Sequence, residues 1–305
     1  MKSNVIEDYS KWSKEQRIKK LEELYKECIG EDLDIINPRR FTEKVQWMKI
    51  YYSSQKIVQC IDKITFKDYV RSHLGKGMTA PIYKVWREPA EVSLDGLPDK
   101  CVIKSNCSSE GRNIKLIYDW NSFDKEELIS EIRKTWYDRL KLETNSSVTA
   151  YHLVKPAVFV EALIPGYEAA YEYKFFCFNG VPKCVYALKY HFVDGTRRED
   201  FSVSFYTTEW EFMNCRFGNY DYINNLEKPD KLQQMIDIAK RVARDFMFVR
   251  VDFIDSTDGL YLSEFTFYPS AGMVPFYPME TDYLIGSWLT LDRSFEKYDH
   301  QSYKS

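Results

Sequence analysis

Between Phe248 and Met273 the chain reads FVRVDFIDSTDGLYLSEFTFYPSAGM, and four of its side chains could do chemistry together. Two short runs of alternating β-branched and aromatic residues flank Ser256-Thr257-Asp258-Gly259, which predicts a β-hairpin. Side chains two apart share a strand face, so Arg250 and Asp252 fall together on the first strand, and Glu264 and Thr266 on the second. A five-residue loop centred on Asp258 sets Asp252 directly opposite Glu264, with Cβ atoms about 4.5–5.5 Å apart. Carboxylates that close repel unless a positive charge lies between them, and an oxygen-loving divalent cation meets that need. The plainer reading of the same residues is a hairpin whose polar side chains face water.

Three further stretches carry candidate groups. In CVIKSNCSSEG, Lys104 ends a strand and opens into a small polar loop that closes on Gly111. A lysine there, with serine hydroxyls and backbone N–H groups, can hold a phosphate. The Walker A pattern is absent, and a strand-end lysine reaching solvent fits the same residues. In FVEALIPGYE a strand ends at Glu161, passes Ala162-Leu163 and turns at Pro165-Gly166, with Glu168 seven residues after the first acid. A segment joining two lobes can offer backbone groups to a purine edge while Leu163 covers the ring. The second acid then reaches a ribose hydroxyl; two exposed glutamates at a strand end are the alternative. In YEYKFFCF, Lys174 is a charge inside an apolar strand. Glu172 shares its face, so Lys174 either pairs with that acid or points into a cleft. No Ser/His/Asp or Cys/His nucleophile arrangement stands out.

The elements that must hold these groups follow from periodicity. Ser13 with Gln16 makes a capping box for a helix carrying Ile18, Leu21, Tyr25 and Cys28 as far as Gly30. Thr42 is placed to cap a second helix with Val45, Met48 and Tyr52. Asp62 is placed to cap a third, with Phe66, Tyr69, Val70 and His73 inward. Strands are expected at Ala80–Trp86, Lys100–Asn106, Gly111–Tyr118 and Pro156–Leu163, with an amphipathic helix over Asp124–Leu140. Tyr171–Phe178 and Val181–Leu188 flank Asn179-Gly180, which fits a two-residue type I′ turn. A helix over Pro229–Phe246 leads into the hairpin that ends the core. This order, helices and then mainly antiparallel hairpins, predicts an α+β fold.

Composition narrows the classes. The 305 residues are 44% hydrophobic and 29% charged, as in ordinary globular chains, and suffice for two lobes. A net charge of −3 leaves no electrostatic footprint for nucleic acid or an anionic membrane. The seven cysteines lack Cys-x-x-Cys spacing, and the four histidines lack zinc-ligand spacing. The first residues lack the apolar core of a signal peptide, and no apolar run approaches the roughly 18 residues of a membrane span. The expectation is a soluble cytoplasmic chain.

The groups occur in a telling order: loop lysine, acidic hinge, then Arg-x-Asp and Glu-x-Thr on a hairpin. Three stretches give that order a family: NPRRFTEKVQWMK (37–49), YKFFCFNGVPK (173–183), and FVRVDF (248–253) with EFTFYP (264–269). Together they resemble the TupA-like ATP-grasp family, named for teichuronopeptide biosynthesis, over about residues 35 to 295. The resemblance implies two lobes clasping ATP: a helical N-terminal segment at 1–75, a small lobe at 76–160 and a large lobe with a magnesium site at 161–305. It implies Lys63 and Lys104 as phosphate contacts, and Glu161 with the Ala162-Leu163 backbone at adenine. Glu168 falls at the ribose and Lys174 at a second cation near the phosphates. Asp252 and Glu264 become the Mg2+ ligands, and Arg250 the group that stabilises the transferring phosphoryl. The loop after Lys104 departs from the family's Cys-Asn-His-Gly-Ser-Gly pattern, losing a histidine and gaining Glu110. Thr266 departs only from the wider superfamily, where many ligases carry an Asn.

The reaction implied is ATP-dependent ligation of a carboxylate to an amine through an acyl phosphate. The substrates would be small molecules, a sugar acid or nucleotide-uronate and an amino acid or amine, used in cell-surface polysaccharide assembly. A sugar or glycan kinase on the same scaffold, and a non-catalytic nucleotide- or glycan-binding protein, are the alternatives.

Overall fold

The computed structural model describes residues 11–107, 113–144, 148–193, 196–223 and 225–297. Helix α1 (Lys14–Ile29) begins and ends as its sequence dictates. Ser13 and Gln16 exchange side-chain-to-backbone bonds at 3.3 and 2.8 Å, and Gly30 takes the left-handed conformation that closes the last turn. Helix α2 (Phe41–Tyr51) departs from expectation at its start. Thr42 is not its cap but lies inside the first turn, where its hydroxyl donates to Asp282 at 2.5 Å. The capping work falls to Glu43, which accepts from the backbone N–H groups of Arg39 and Arg40.

A short helix α3 (Gln55–Ile61), capped by Ser54, precedes the position expected for the third cap. Asp62 follows it and folds a turn by accepting from Ile64 N at 2.8 Å, so α4 (Phe66–Leu74) starts four residues later. Phe66, Tyr69 and Val70 are buried on α4 as the spacing requires, and His73 stacks on Tyr69.

Strands β1 (Ile82–Trp86), β2 (Cys101–Ser105), β3 (Ile114–Ile117) and β4 (Val158–Ala162) form a four-stranded antiparallel sheet in the order β1-β4-β2-β3. The helix expected over 124–140 is interrupted. Asp124 caps α5 (Lys125–Glu131), a π-helical segment (Ile132–Trp136) follows, and α6 (Tyr137–Thr144) completes it. The wider turn buries both Ile132 and Trp136 on one side.

The larger sheet is built from β5 (Tyr171–Phe178), β6 (Val181–Val193), β7 (Thr196–Thr207), β8 (Phe212–Met213), then β10 (Phe248–Asp255) and β11 (Leu260–Thr266). It runs β11-β10-β5-β6-β7-β8 and is antiparallel throughout, so the α+β expectation holds. Asn179 (φ 47°) and Gly180 (φ 81°) are both left-handed, as a type I′ turn demands. A small ladder joins β9 (Arg216–Phe217) to β12 (Phe276–Tyr277). Helix α7 (Leu232–Ala243) packs against β5, β6 and β10.

The N-terminal helices pack on elements far along the chain. The ring of Phe41 meets Phe176, Phe178 and Phe248, on the same strand faces as Lys174 and Asp252. Helix α8 (Glu280–Ser287) lies beside α2, where Lys44 donates to the carbonyls of Gly286 and Leu289. Among the described residues, no helix is long and apolar enough to cross a membrane.

The α2–α8 contact is backbone on backbone. A Cβ on Gly286 would collide with the Arg39 carbonyl and lie 2.7 Å from Phe41 N. Gly286→Ala should therefore destabilise the fold by at least about 2 kcal/mol, since neither backbone can step aside. Urea unfolding measures it, and an unchanged midpoint would show the packing to be looser than described.

Candidate functional site

The hairpin of β10 and β11 places its four polar residues in register: Asp252 opposite Glu264, and Arg250 opposite Thr266. It does so by a different route from a five-residue loop. The strands remain paired to Asp255 and Leu260, leaving a four-residue turn, Ser256–Gly259. The register then shifts between Asp252 and Phe253, with Ser263 as the extra residue. The Ser263 hydroxyl donates to the Asp252 carbonyl at 3.2 Å across that bulge.

Around this pair the structure assembles a row of alternating charge. Asp252 is fully buried; its Oδ1 accepts from Arg250 Nε at 2.7 Å and its Oδ2 from Arg250 Nη2 at 2.6 Å. The same guanidinium reaches Glu264 Oε1 at 3.5 Å and Thr266 Oγ1 at 3.0 Å. Lys174, opposite Asp252 on β5, donates to Asp252 Oδ2 at 3.0 Å and pairs with Glu172 at 2.9 Å. Lys174 is thus paired with Glu172, as the ion-pair reading expects, and with Asp252 as well. Tyr167 donates to the far oxygen of Glu172 at 3.0 Å. At the other end, Lys63 Nζ lies 3.1 Å from Glu264 Oε2. The row reads Glu172, Lys174, Asp252, Arg250, Glu264, Lys63, three acids and three bases.

Lys63 is delivered to the row by a buried amide. Asn106 accepts from Lys63 N through its carbonyl at 2.8 Å and donates its Nδ2 to Asp62 at 2.9 Å. Its side chain also spans the Lys155 carbonyl and Ala157 N. The turn at Asp62 is thus tied to the approach of β4, and this is what Asp62 does instead of capping a helix.

A second charged group sits on the smaller sheet. Lys104 at the end of β2 places Nζ 2.5 Å from Glu161 Oε1, while Lys67 from α4 holds Glu161 Oε2. Both ammonium groups lie over the Phe159 ring, 5.4 and 5.7 Å from its centroid. The Ala162 amide is donated to Pro81 O at 3.0 Å, and Leu163 follows just beyond the strand. Glu168 lies on the 3₁₀ turn Tyr167–Ala169, exposed and outside both groups. Of the polar loop after Lys104, Ser105, Asn106 and Cys107 are buried; Ser108, Ser109, Glu110 and Gly111 lie outside the described residues.

The protonation states follow from these contacts. Burial raises the Glu264 carboxyl, but Lys63, Lys174 and Arg250 outweigh it and hold it at about 2. Burial opposes the charge on Lys174, yet Asp252 and Glu172 drive its pKa well above the usual lysine value. Glu161 is likewise raised by burial and brought below its ordinary value by Lys104 and Lys67. Lys67 itself is lowered, mainly by burial. Among the described residues, no cluster of three or more His, Cys, Asp or Glu forms a self-sufficient metal cage. Asp252 and Glu264 lie opposite each other in the hairpin as a pair of carboxylates.

Sequence reasoning named Lys63, Lys104, Glu161, Lys174, Arg250, Asp252 and Glu264, and the structure gathers them into these two groups. It missed Lys67 and Asn106. Lys67 lies on α4 while Lys63 lies in the turn before it, so no helical spacing links the two, and the acid that Lys67 meets comes from β4.

The TupA-like ATPgrasp family profile matches residues 43–290. No curated protein matches the chain in sequence. Among solved structures, the chain is similar to D-alanine–D-alanine ligase from Bacillus anthracis at 18% identity, covering 78% of this chain and 65% of that one with a TM-score of 0.41. It is similar to D-alanine–D-alanine ligase from Helicobacter pylori at 15% identity, covering 82% and 69% with a TM-score of 0.44. It is similar to phosphoribosylamine–glycine ligase from Thermotoga maritima at 15% identity, covering 72% and 50% with a TM-score of 0.38. The chain thus spans under two thirds of the Bacillus anthracis ligase's length. With each of these TM-scores below 0.5, the family rests on the sequence match alone.

The depressed Glu264 carboxyl makes a pH prediction. A group whose pKa is lowered on folding adds stability that is present above its unfolded value of 4.5 and is lost as pH falls toward 2. The stability difference between wild type and Glu264→Gln should therefore shrink progressively below pH 4.5. Denaturant unfolding of both proteins at stepped pH reads that difference, and a gap that stays constant would refute the ion pairing.

Proposed function

The chain belongs to the TupA-like ATP-grasp family, matched from residue 43 to 290, and from that premise we propose that it is a cytoplasmic ATP-dependent carboxylate–amine ligase. The observation that carries this reading is the row of alternating charge on β5, β10 and β11, ending at Lys63. It sets three cations in line for phosphate oxygens, with carboxylates between them for a metal.

In this reading Lys104 and Lys63 take the phosphates, Glu161 and the Ala162-Leu163 segment meet adenine, and Glu168 reaches the ribose. Magnesium suits these oxygen donors: among the described residues Glu264 Oε1 has one long contact, from Arg250 at 3.5 Å, whereas Asp252, buried and accepting from Arg250 and Lys174, would have to be uncovered first. Asp252 and Glu264 would hold it, and when bound it would neutralise phosphate charge. Each cation of the row already has a carboxylate partner, so phosphate binding would be an exchange in which Lys63 gives up Glu264 for a phosphate oxygen, leaving that carboxylate to hold magnesium. Arg250, fixed by its two bonds to Asp252, and Lys174 then face the charge that develops as the γ-phosphoryl passes to a substrate carboxylate oxygen and ADP departs. Attack of an amine nitrogen on the acyl carbon expels phosphate, forms the amide and releases a proton.

The proposed acid is a sugar acid or nucleotide-uronate, and the amine an amino acid or small amine, for cell-surface polysaccharide assembly. The family's namesake pathway supports this, and exposed tyrosines such as Tyr83, Tyr277 and Tyr283 offer faces on which sugar rings can stack. An ADP-release screen crossing uronates and nucleotide-uronates with amines, read by mass spectrometry, is the test. ADP release should require both substrates and yield an amide. Steady release without amine, with a stable phosphorylated product, would instead identify a kinase. Asp252→Asn and Glu264→Gln should each lower turnover at least about 100-fold, and full activity in both would remove the basis of the reading.

A further inference from the structure

The two charged groups differ in one respect. The row on the larger sheet is neutral, three acids against three bases. The group on the smaller sheet is not: Lys67 and Lys104 share the single carboxylate of Glu161, one ammonium on each oxygen. All three side chains are largely withdrawn from water, at 11%, 15% and 8% exposure. Among the described residues, no other carboxylate lies within ion-pair distance of either lysine. Two buried like charges with one counter-charge is an arrangement that a second anion relieves.

The placement of Lys67 has no local cause. It occupies the first turn of α4, where the helix dipole disfavours a cation. A side chain serving only the helix would be an acid there, as Asp68 is one residue on. The amphipathic pattern also gives no reason to turn a lysine inward, yet its ammonium reaches both the Ala80 carbonyl and Glu161. A lysine has three N–H donors, and among the described residues these contacts use two on Lys67 and one on Lys104. The carboxylate holds both cations over the Phe159 ring.

We propose that Lys67 is a third phosphate-binding cation, which with Lys104 forms a polyphosphate-binding cradle organised by Glu161. The proposal rests on the nucleotide reading above and deepens it: the excess charge of the site lies on the smaller sheet, and the nucleotide's phosphates supply the missing anion. The competing role for Lys67 is a strut that ties Glu161 to Ala80 and touches no ligand.

Isothermal titration of wild type, Lys67→Met and Lys67→Arg with ADP, inorganic tripolyphosphate and adenosine separates these roles. Lys67→Met should weaken ADP and tripolyphosphate by about 10- to 100-fold, the loss of one charged hydrogen bond. It should weaken adenosine far less, since Lys67 reaches adenine only through Glu161, and Lys67→Arg should recover part of the loss; the thermal unfolding midpoint reports that the variant is folded. Equal weakening of adenosine and ADP, or ADP binding unchanged in Lys67→Met, would overturn the proposal in favour of the strut. Tripolyphosphate binding that depends on Lys67 in a protein indifferent to adenosine would keep the cradle and sink the nucleotide reading. A wild type that binds neither ADP nor tripolyphosphate would overturn both.

Discussion

The carboxylate of Asp252 is the constraint on which the rest of the structure turns. It lies with no solvent exposure between two strands, and three N–H donors from Arg250 and Lys174 converge on its two oxygens. An ion so placed is tolerable only if its partners stay in position, because removing one leaves an uncompensated buried charge. The packing answers that demand on every side. The pairing of β5 with β10 sets Lys174 across from it, and the fork geometry of the guanidinium fixes Arg250. Phe176, Phe178 and Phe248 close the same face against Phe41 of α2. The N-terminal helices, which sequence order would set apart, are thereby part of what keeps water from these charges.

How much of this was legible depends on the range of the interaction. Period-two alternation and the turn residues made the hairpin and the Asp252–Glu264 pairing readable, because both are local consequences of strand geometry. Asn179-Gly180 was readable for the same reason. Thr42 and Asp62 were misread as caps, since each has the side chain a cap requires. What decided their roles were partners far away in sequence: Asp282 for Thr42, and Asn106 for Asp62. Helix α3 was too short to display a period. Lys67 looked like any lysine on an amphipathic helix, and only the approach of β4 to α4 reveals the acid it faces.

The same distinction runs through the site. Arg250, Asp252, Glu264 and Thr266 come from one hairpin and could be seen together. Lys63, Lys67, Lys104, Glu161 and Lys174 come from five separate places, the turn before α4 and then α4, β2, β4 and β5, and a family's order of motifs was needed to suggest that most of them converge. Their ion pairs were outside the reach of either route. Spacing says which side chains share a face; it does not say which acid each base will choose.

The bulge at Ser263 has a bearing on how such a site can vary. Because the extra residue falls between the hairpin tip and the acidic pair, the two ends of the hairpin keep separate registers. The tip is set by its four-residue turn, while the pair is set by β5 and by the ions on it. The turn at Ser256–Gly259 still reaches the acidic pair by two routes, along the strands through the bulge and across space where Thr257 lies against Gly166, next to the Tyr167 that bonds Glu172.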